Sequence, residues 1–213
     1  MSSFIQKLQV KQLKLVAKGS GRLVYQHPTN SSWLIKIHRP YKAEPHASKY
    51  AFLKKYFKHK YEKVIFHREL LEFMKMKENN DIISERFADI IGFVDTDIGL
   101  GTIVEAIKSE DDTLAPTLSQ MLKNKTVTKE TKHRLIKLFE MLRVSNVVVG
   151  DLNAANIVLH NKTDFIIIDG LGDKTLIPIR KWSRWINQKG YSRKLRKLSQ
   201  NIDHALGKTK TTI

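Results

Sequence analysis

"VVVGDLNAANIVLHNKTDFIIIDG", from Val147 to Gly170, is the stretch on which the fold turns. Two apolar, β-branched runs flank a short polar loop that holds Asp151, Asn153 and Asn156, and the second run ends on Asp169. Valine and isoleucine in such runs read as strands. Both strands lead toward carboxylates, although an unpaired buried carboxylate is costly and a surface loop could hold one more cheaply. Phosphoryl transfer gives a chemical reason. Asp151 and Asn156 are five apart, and Asp169 follows after one strand, giving the order D-x-x-x-x-N, strand, D-G. In such a set one carboxylate accepts or orients a hydroxyl, while an amide and a second carboxylate hold Mg²⁺ on phosphates. The metal then offsets the cost of gathering acids near a core.

The composition is consistent with that chemistry and excludes several others. Lys and Arg number 38 against 21 Asp and Glu, a net charge of +17, which calls for an anionic partner: nucleic acid, anionic lipid, a phosphorylated sugar or a nucleotide. From Lys174 to Lys197 there are nine Lys or Arg and no acid, and a second basic stretch spans Lys49 to Lys63. A solvated, solubilising face would give the same pattern. The absence of cysteine removes disulfides and thiolate zinc sites, and the eight histidines show no H-E-x-x-H spacing. A hydrophobic fraction of 41% is ordinary for a globular core. No run of about 18 apolar residues is present, and the N-terminus lacks the apolar segment of a signal peptide, so a cytoplasmic protein is expected.

Upstream, residues 9–37 read as three short strands broken by Gly19-Ser20-Gly21 and by Pro28-Thr29-Asn30-Ser31. The first turn can be an ordinary hairpin or a backbone fold over phosphates. Lys36 falls on the strand face opposite Trp33, Ile35 and Ile37. The spacing of Phe66, Leu70, Phe73 and Met74 predicts a helix over Tyr61–Lys77, flanked by Glu62, Glu69 and Glu72. "FADIIGFVDT" and "GLGTIVEAI" add two strands, so residues 1–107 form an expected five-stranded unit with one inserted helix. A polar stretch and a short helix follow. A longer helix then begins near Thr128, a plausible N-cap, with Leu135, Leu138, Phe139 and Leu142 along one face. Past Gly172 the chain is basic and helical in character, with Trp182 and Trp185 three apart as on a buried face.

Taken in order, the glycine turn, Lys36, the helix with Glu69, the segment Val104–Ile107, "GDLNAAN" and "IIDG" resemble the protein kinase-like fold. "GDLNAANIVL" followed by "IIDGLGDKTLIP" resembles, more narrowly, the PhoP regulatory network (YrbL-like) family. The resemblance implies an α+β, two-lobed fold: residues 1–107 as an N-lobe with an antiparallel sheet, and residues 108–213 as a truncated, mainly helical C-lobe. It further implies ATP and Mg²⁺ as cofactors, with Asp151 as catalytic base and Asn156 and Asp169 as metal ligands. Lys36 would hold the α and β phosphates with Glu69 as its ion-pair partner, or Glu62 or Glu72 after a register change. Gly19 and Gly21 would lie over the triphosphate, and adenine would sit against Val104–Ile107, hydrogen-bonding to the backbone there, with Glu105 and Ile107 as its binding residues.

The departures from protein kinases narrow the substrate. Their His-Arg before the catalytic Asp is Val149-Gly150 here, their Lys two positions after it is Asn153, and Gly170 stands where they place a switch Phe. Little chain follows Asp169 to build a peptide-binding platform. A small-molecule acceptor is therefore expected, and the resemblance in architecture to lipopolysaccharide core-sugar kinases implies phosphorylation of a hydroxyl on an anionic small molecule, most naturally a lipopolysaccharide or surface-glycan sugar. The alternative is a kinase-like regulatory module that binds nucleotide and a protein or lipid partner with little turnover, and a minimal protein kinase is the third. Arg and Lys interleaved with Trp and Tyr in Lys174–Lys197 suit a phosphorylated glycan or an inner-membrane surface, and equally suit a terminal helix with a soluble outer face. No recognised nucleic-acid module is present, so nucleic acid is not an expected partner.

Overall fold

The structure is a computed structural model that describes residues 7–19, 21–38, 64, 66–79, 82–145, 147–172 and 183–207. Ser20, the Lys49–Lys63 stretch with Glu62, and Lys174–Trp182 lie outside the described residues. The chain divides into two compact units, residues 1–59 with 88–106, and residues 60–87 with 107–213. It mixes an antiparallel sheet with four α-helices among the described residues.

The first unit is a five-stranded sheet. Its strands are β1 (Leu15–Lys18), β2 (Arg22–Gln26), β3 (Trp33–His38), β4 (Ile90–Thr96) and β5 (Gly99–Glu105), in spatial order β1-β2-β3-β5-β4. Every neighbouring pair is antiparallel. Alternation along β3 sends Ile35 and Ile37 to the interior, where they pack with Val10. Gly101 makes room for them, since a Cβ there would lie 2.8 Å from Ile35 Cγ2. Lys36 points to the other face, opposite Val24 and Thr102. The first strand starts later than its sequence suggests: Val10–Gln12 form a 3-10 turn and β1 begins only at Leu15. Val10 is buried against the sheet and its N–H goes to Asp97 Oδ1 at 3.0 Å, so this segment covers the sheet rather than joining the ladder.

The second unit is mainly helical. Residues 66–78 form α1, followed by α2 (Leu118–Lys123), α3 (Lys129–Ser145), a hairpin of β6 (Ile157–His160) and β7 (Asp164–Ile167), and α4 (Arg184–Ala205). Thr117 and Gln120 close a capping box at the start of α2. At the start of α3, Thr128 Oγ1 accepts from the Thr131 N–H at 3.2 Å while Thr131 Oγ1 accepts from the Thr128 N–H at 3.0 Å. The apolar face read from the sequence is the buried one. Leu135, Leu138, Phe139 and Leu142 pack with Ile157, Phe165, Ile167 and Ile202 in one core. Lys132 and Asp203, 2.7 Å apart, join α3 to α4.

Two expectations are corrected. The inward face of α1 carries Met76, 2% exposed, whereas Met74 is 48% exposed. The helix is turned because Glu72 also faces inward, where its carboxylate accepts a backbone N–H, and apolar spacing alone gives no sign of that. Trp185 is 68% exposed instead of buried, with Lys189 Nζ 4.8 Å from its ring centre. The face of α4 that packs inward carries Asn187, Gly190, Tyr191, Leu198 and Ile202.

The rotation of α1 has a direct test in paired substitutions. Met76→Ala should cost about 2–5 kcal/mol by leaving a cavity, and Met74→Ala less than about 0.5 kcal/mol. Urea denaturation of the two variants checks it, and equal losses would contradict the buried face described here.

Candidate functional site

Residues 147–150 form the approach to Asp151, and three of the four are nearly inaccessible: Val147 is 7% exposed, Val148 4% and Val149 0%. Their backbone groups cannot reach water, so each needs a partner in the protein. Side chains supply several. Glu72 Oε1 of α1 accepts from the Val148 N–H at 3.1 Å. From α4, Asn187 Nδ2 donates to the Val147 carbonyl at 3.2 Å, and the Tyr191 hydroxyl donates to the same oxygen while accepting from the Val149 N–H at 3.1 Å. Lys194 Nζ donates to the Gly150 carbonyl at 3.0 Å. These three α4 residues are spaced i, i+4 and i+7 and so share one helix face.

Further backbone groups of this segment pair with the D-G-L-G turn. Gly172 N donates to Val148 O at 2.7 Å, Gly150 N to Gly172 O at 2.8 Å, and Asp151 N to Gly170 O at 3.2 Å. The two glycines are required. Gly170 has φ +97° and a Cβ there would lie 2.7 Å from Asp151 O; Gly172 has φ +81° and its Cβ would meet Arg68 O at 3.0 Å. A Phe at 170, as in protein kinases, would collide with the loop that holds Asp151.

Within the loop, Asn156 Nδ2 donates to Asp151 O at 2.8 Å, which leaves the amide oxygen as the acceptor of that side chain. Asn153 Nδ2 donates to Asp151 Oδ1 at 2.9 Å and Asn153 Oδ1 accepts from the Ala155 N–H at 2.9 Å, opening the 3-10 turn Ala154–Asn156. Ile168 N donates to Asn156 O at 2.9 Å, and Asp169 Oδ1 accepts from the Gly170 N–H at 2.6 Å. Asp151, Asn156 and Asp169, expected from the sequence to act together, therefore lie in one hydrogen-bonded unit. Their donor set fits Mg²⁺, which takes hard oxygen ligands and keeps waters and phosphate oxygens for the rest. Among the described residues no group of three His, Cys, Asp or Glu stands together.

The other expected site residues divide between the units. In the first, Lys36 is half-buried at the middle of β3, and the turn at Gly19 is closed by its N–H donating to Arg22 O at 2.9 Å. Neither Gly19 nor Gly21 is required sterically: a Cβ at Gly19 would meet Arg22 O at 3.6 Å, and one at Gly21 nothing within 4 Å. Glu105 donates its N–H to Asp89 O at 2.9 Å. In the second unit Glu69 lies half-buried on α1, and the Ile107 carbonyl accepts from the Ala115 N–H at 2.9 Å. Those two backbone groups of the expected adenine segment are thus already engaged. Sequence reasoning passed over the supporting roles of Asn153, Asn187, Tyr191 and Lys194. Only the placement of Tyr191 and Leu198 on one helix face could have hinted at them.

A cleft of about 390 Å³ also opens in the second unit, lined by Arg86, Glu130, His133, Arg134, Lys137 and Asp164 among others. Both arginines already face carboxylates, Arg86 with Asp164 at 2.8 Å and Arg134 with Glu130 at 3.1 Å, so their charge is largely spent. No helix among the described residues is long and apolar enough to cross a membrane.

A model of the family described as PhoP regulatory network protein YrbL matches residues 8–203, a span that contains every candidate site residue. The chain is similar to the uncharacterized protein YrbL of Escherichia coli (strain K12), 27% identical over 101 residues that make up 44% of this chain and 48% of that protein. The uncharacterized protein YrbL of Shigella flexneri matches with the same figures. The chain spans about half the length of the curated relatives it matches.

Gly170→Ala should cost at least about 2 kcal/mol through positive φ and collision with Asp151, while Gly21→Ala should stay within about 0.5 kcal/mol. Denaturation midpoints decide it. A Gly170→Ala variant as stable as wild type would remove the close approach described between loop and turn.

Proposed function

We propose a function from two premises: the chain belongs to the PhoP regulatory network protein YrbL family, and its D-x-x-x-x-N loop and D-G turn form one hydrogen-bonded unit. The function is ATP- and Mg²⁺-dependent phosphoryl transfer to a hydroxyl of an anionic small molecule, on a protein kinase-like two-lobed fold. A sugar of lipopolysaccharide or another surface glycan is the first acceptor class to try. Asp151 takes the acceptor's hydroxyl proton as that oxygen bonds to the γ-phosphorus and the bond from phosphorus to the ADP oxygen breaks. Asn153 holds Asp151 Oδ1 for this task. Asn156 and Asp169 are the residues to hold Mg²⁺, which when bound supplies positive charge to the phosphate oxygens. Lys36 serves the α and β phosphates, with Gly19 and Gly21 over the triphosphate.

The observation that supports this reading most is the link from Asn156 Nδ2 to Asp151 O, with Gly170 against the same carbonyl. It ties Asp151 to Asn156 and to the turn that follows Asp169, which supports reading them as a base and two metal ligands, and a pure binding module has no use for the base. The outward cations of α4, among them Lys189, Arg193, Arg196 and Lys197, are exposed and suit an anionic acceptor or an inner-membrane surface.

A second reading, a nucleotide-binding regulatory module with little turnover, is favoured by two specific observations. The glycine turn tolerates side chains, and Asn153 occupies the position where protein kinases place a lysine.

Calorimetry of Mg·ATP with wild type, Asp169→Ala and Asp151→Ala separates the two readings. The phosphotransferase should bind Mg·ATP, lose the metal-dependent part of binding in Asp169→Ala, and in Asp151→Ala keep binding while transfer to a phosphorylated glycan acceptor falls by roughly a thousandfold or more. Binding without turnover on any acceptor would favour the regulatory module. A folded wild type that binds no nucleotide would remove both.

A further inference from the structure

We infer that Lys194 is a positioning residue of the catalytic loop, supplying from α4 the cation that the loop lacks at Asn153. This rests on the phosphotransferase reading. Lys194 Nζ donates to the carbonyl of Gly150, the residue just before Asp151, at 3.0 Å. The next peptide N–H along the chain, that of Asp151, donates to Gly170 O at 3.2 Å. The Gly150–Asp151 peptide is thus held at both ends, by an ammonium on its oxygen and by the D-G turn on its nitrogen. A charged donor makes the stronger kind of hydrogen bond, and the contact is partly buried, where solvent screens it less.

The lysine is not a long side chain resting by chance on a surface. One turn before it, Tyr191 is 2% exposed and bonded to Val147 and Val149, with its ring edge-on to Phe139 at 6.2 Å. One turn after it, Leu198 is 5% exposed in the core, and near the helix end Asp203 is tied to Lys132. The helix is fixed on both sides of residue 194, so its aim is set by the core. Lys189, Arg193, Arg196 and Lys197 on the same helix are exposed. Lys194 is the cation of α4 that the structure places against the loop.

The loop needs such a charge for a physical reason. Asp151 and Asp169 are joined through the Gly170 contact, and a reacting phosphate adds further negative charge. Protein kinases meet the same demand with a lysine inside the loop, but here that position holds a neutral amide that orients Asp151 instead. Acting through the Gly150 carbonyl, Lys194 sets the plane of the peptide from which Asp151 projects. Loss of the charge therefore lowers turnover more than nucleotide affinity.

The test is Mg·ATP hydrolysis, with water as acceptor, by wild type, Lys194→Met and Lys194→Arg, together with Mg·ATP affinity, melting temperature and amide hydrogen exchange. Lys194→Met should lower kcat by roughly tenfold to a hundredfold, keep KM and Kd for Mg·ATP within about twofold, and hold Tm within about 2 °C. Exchange at the Asp151 amide should quicken in that variant while α3 amides stay unchanged. Lys194→Arg should recover most of the rate, because a single carbonyl asks only for a charged donor. A Met variant with wild-type kcat, or an Arg variant as slow as Met, overturns the inference. If wild type binds no Mg·ATP the phosphotransferase reading falls by itself; exchange then decides the role of Lys194, and an unchanged Asp151 amide overturns it.

Discussion

The second unit depends on one constraint, that the buried backbone of residues 147–149 must find hydrogen-bond partners inside the protein. A wide sheet would satisfy such a segment from both edges, but the short pairing here runs only to the D-G-L-G turn. Side chains are among the other partners: Glu72 from α1, and Asn187, Tyr191 and Lys194 from α4. That explains two polar residues at positions that would otherwise be apolar, Asn187 at 2% exposure and Tyr191 at 2%. Neither is a packing defect, since each answers a donor or acceptor that has no access to water.

The same constraint fixes the geometry of the candidate site. Because Gly170 and Gly172 take positive φ and accept close neighbours, the turn after β7 can lie against the loop after Gly150 with no side chain between them. Asp151 and Asp169, eighteen positions apart in sequence, become members of one small structure. α3 contributes from beneath: its face of Leu135, Leu138, Phe139 and Leu142 supports both the hairpin β6–β7 and α4. Support and site are therefore continuous, through packing on one side and hydrogen bonds on the other.

Much of this was legible in the residues. β-branched runs marked β3, β5, β6 and β7, and the period of α3 identified its four buried apolar residues, though not Thr131, which is buried at the start of the helix. The D-x-x-x-x-N and D-G spacing located the loop. Legibility failed where polar groups are buried. Apolar periodicity gave α1 a face of Phe66, Leu70, Phe73 and Met74, of which Phe73 packs on the core, but it put Met74 inward in place of Met76 because Glu72 reads as a solvent residue until its backbone partner is known. The tryptophan spacing set the face of α4 on Trp185 for the same reason, since the true inward face begins with an asparagine. Val10 was read into the first strand, yet the carboxylate that draws its N–H away lies in a turn far along the chain. Each failure concerns a long-range hydrogen bond, and local pattern contains no information about those.

The order of synthesis gives the role of α4 a further consequence. Residues 147–150 leave the ribosome before residues 187–194, so the strand emerges without the groups that will complete its hydrogen bonds. A nascent chain that has exposed the whole D-x-x-x-x-N loop still holds it in an unfinished form. The loop reaches its final shape only as α4 docks, so its geometry waits on a helix made some forty residues later.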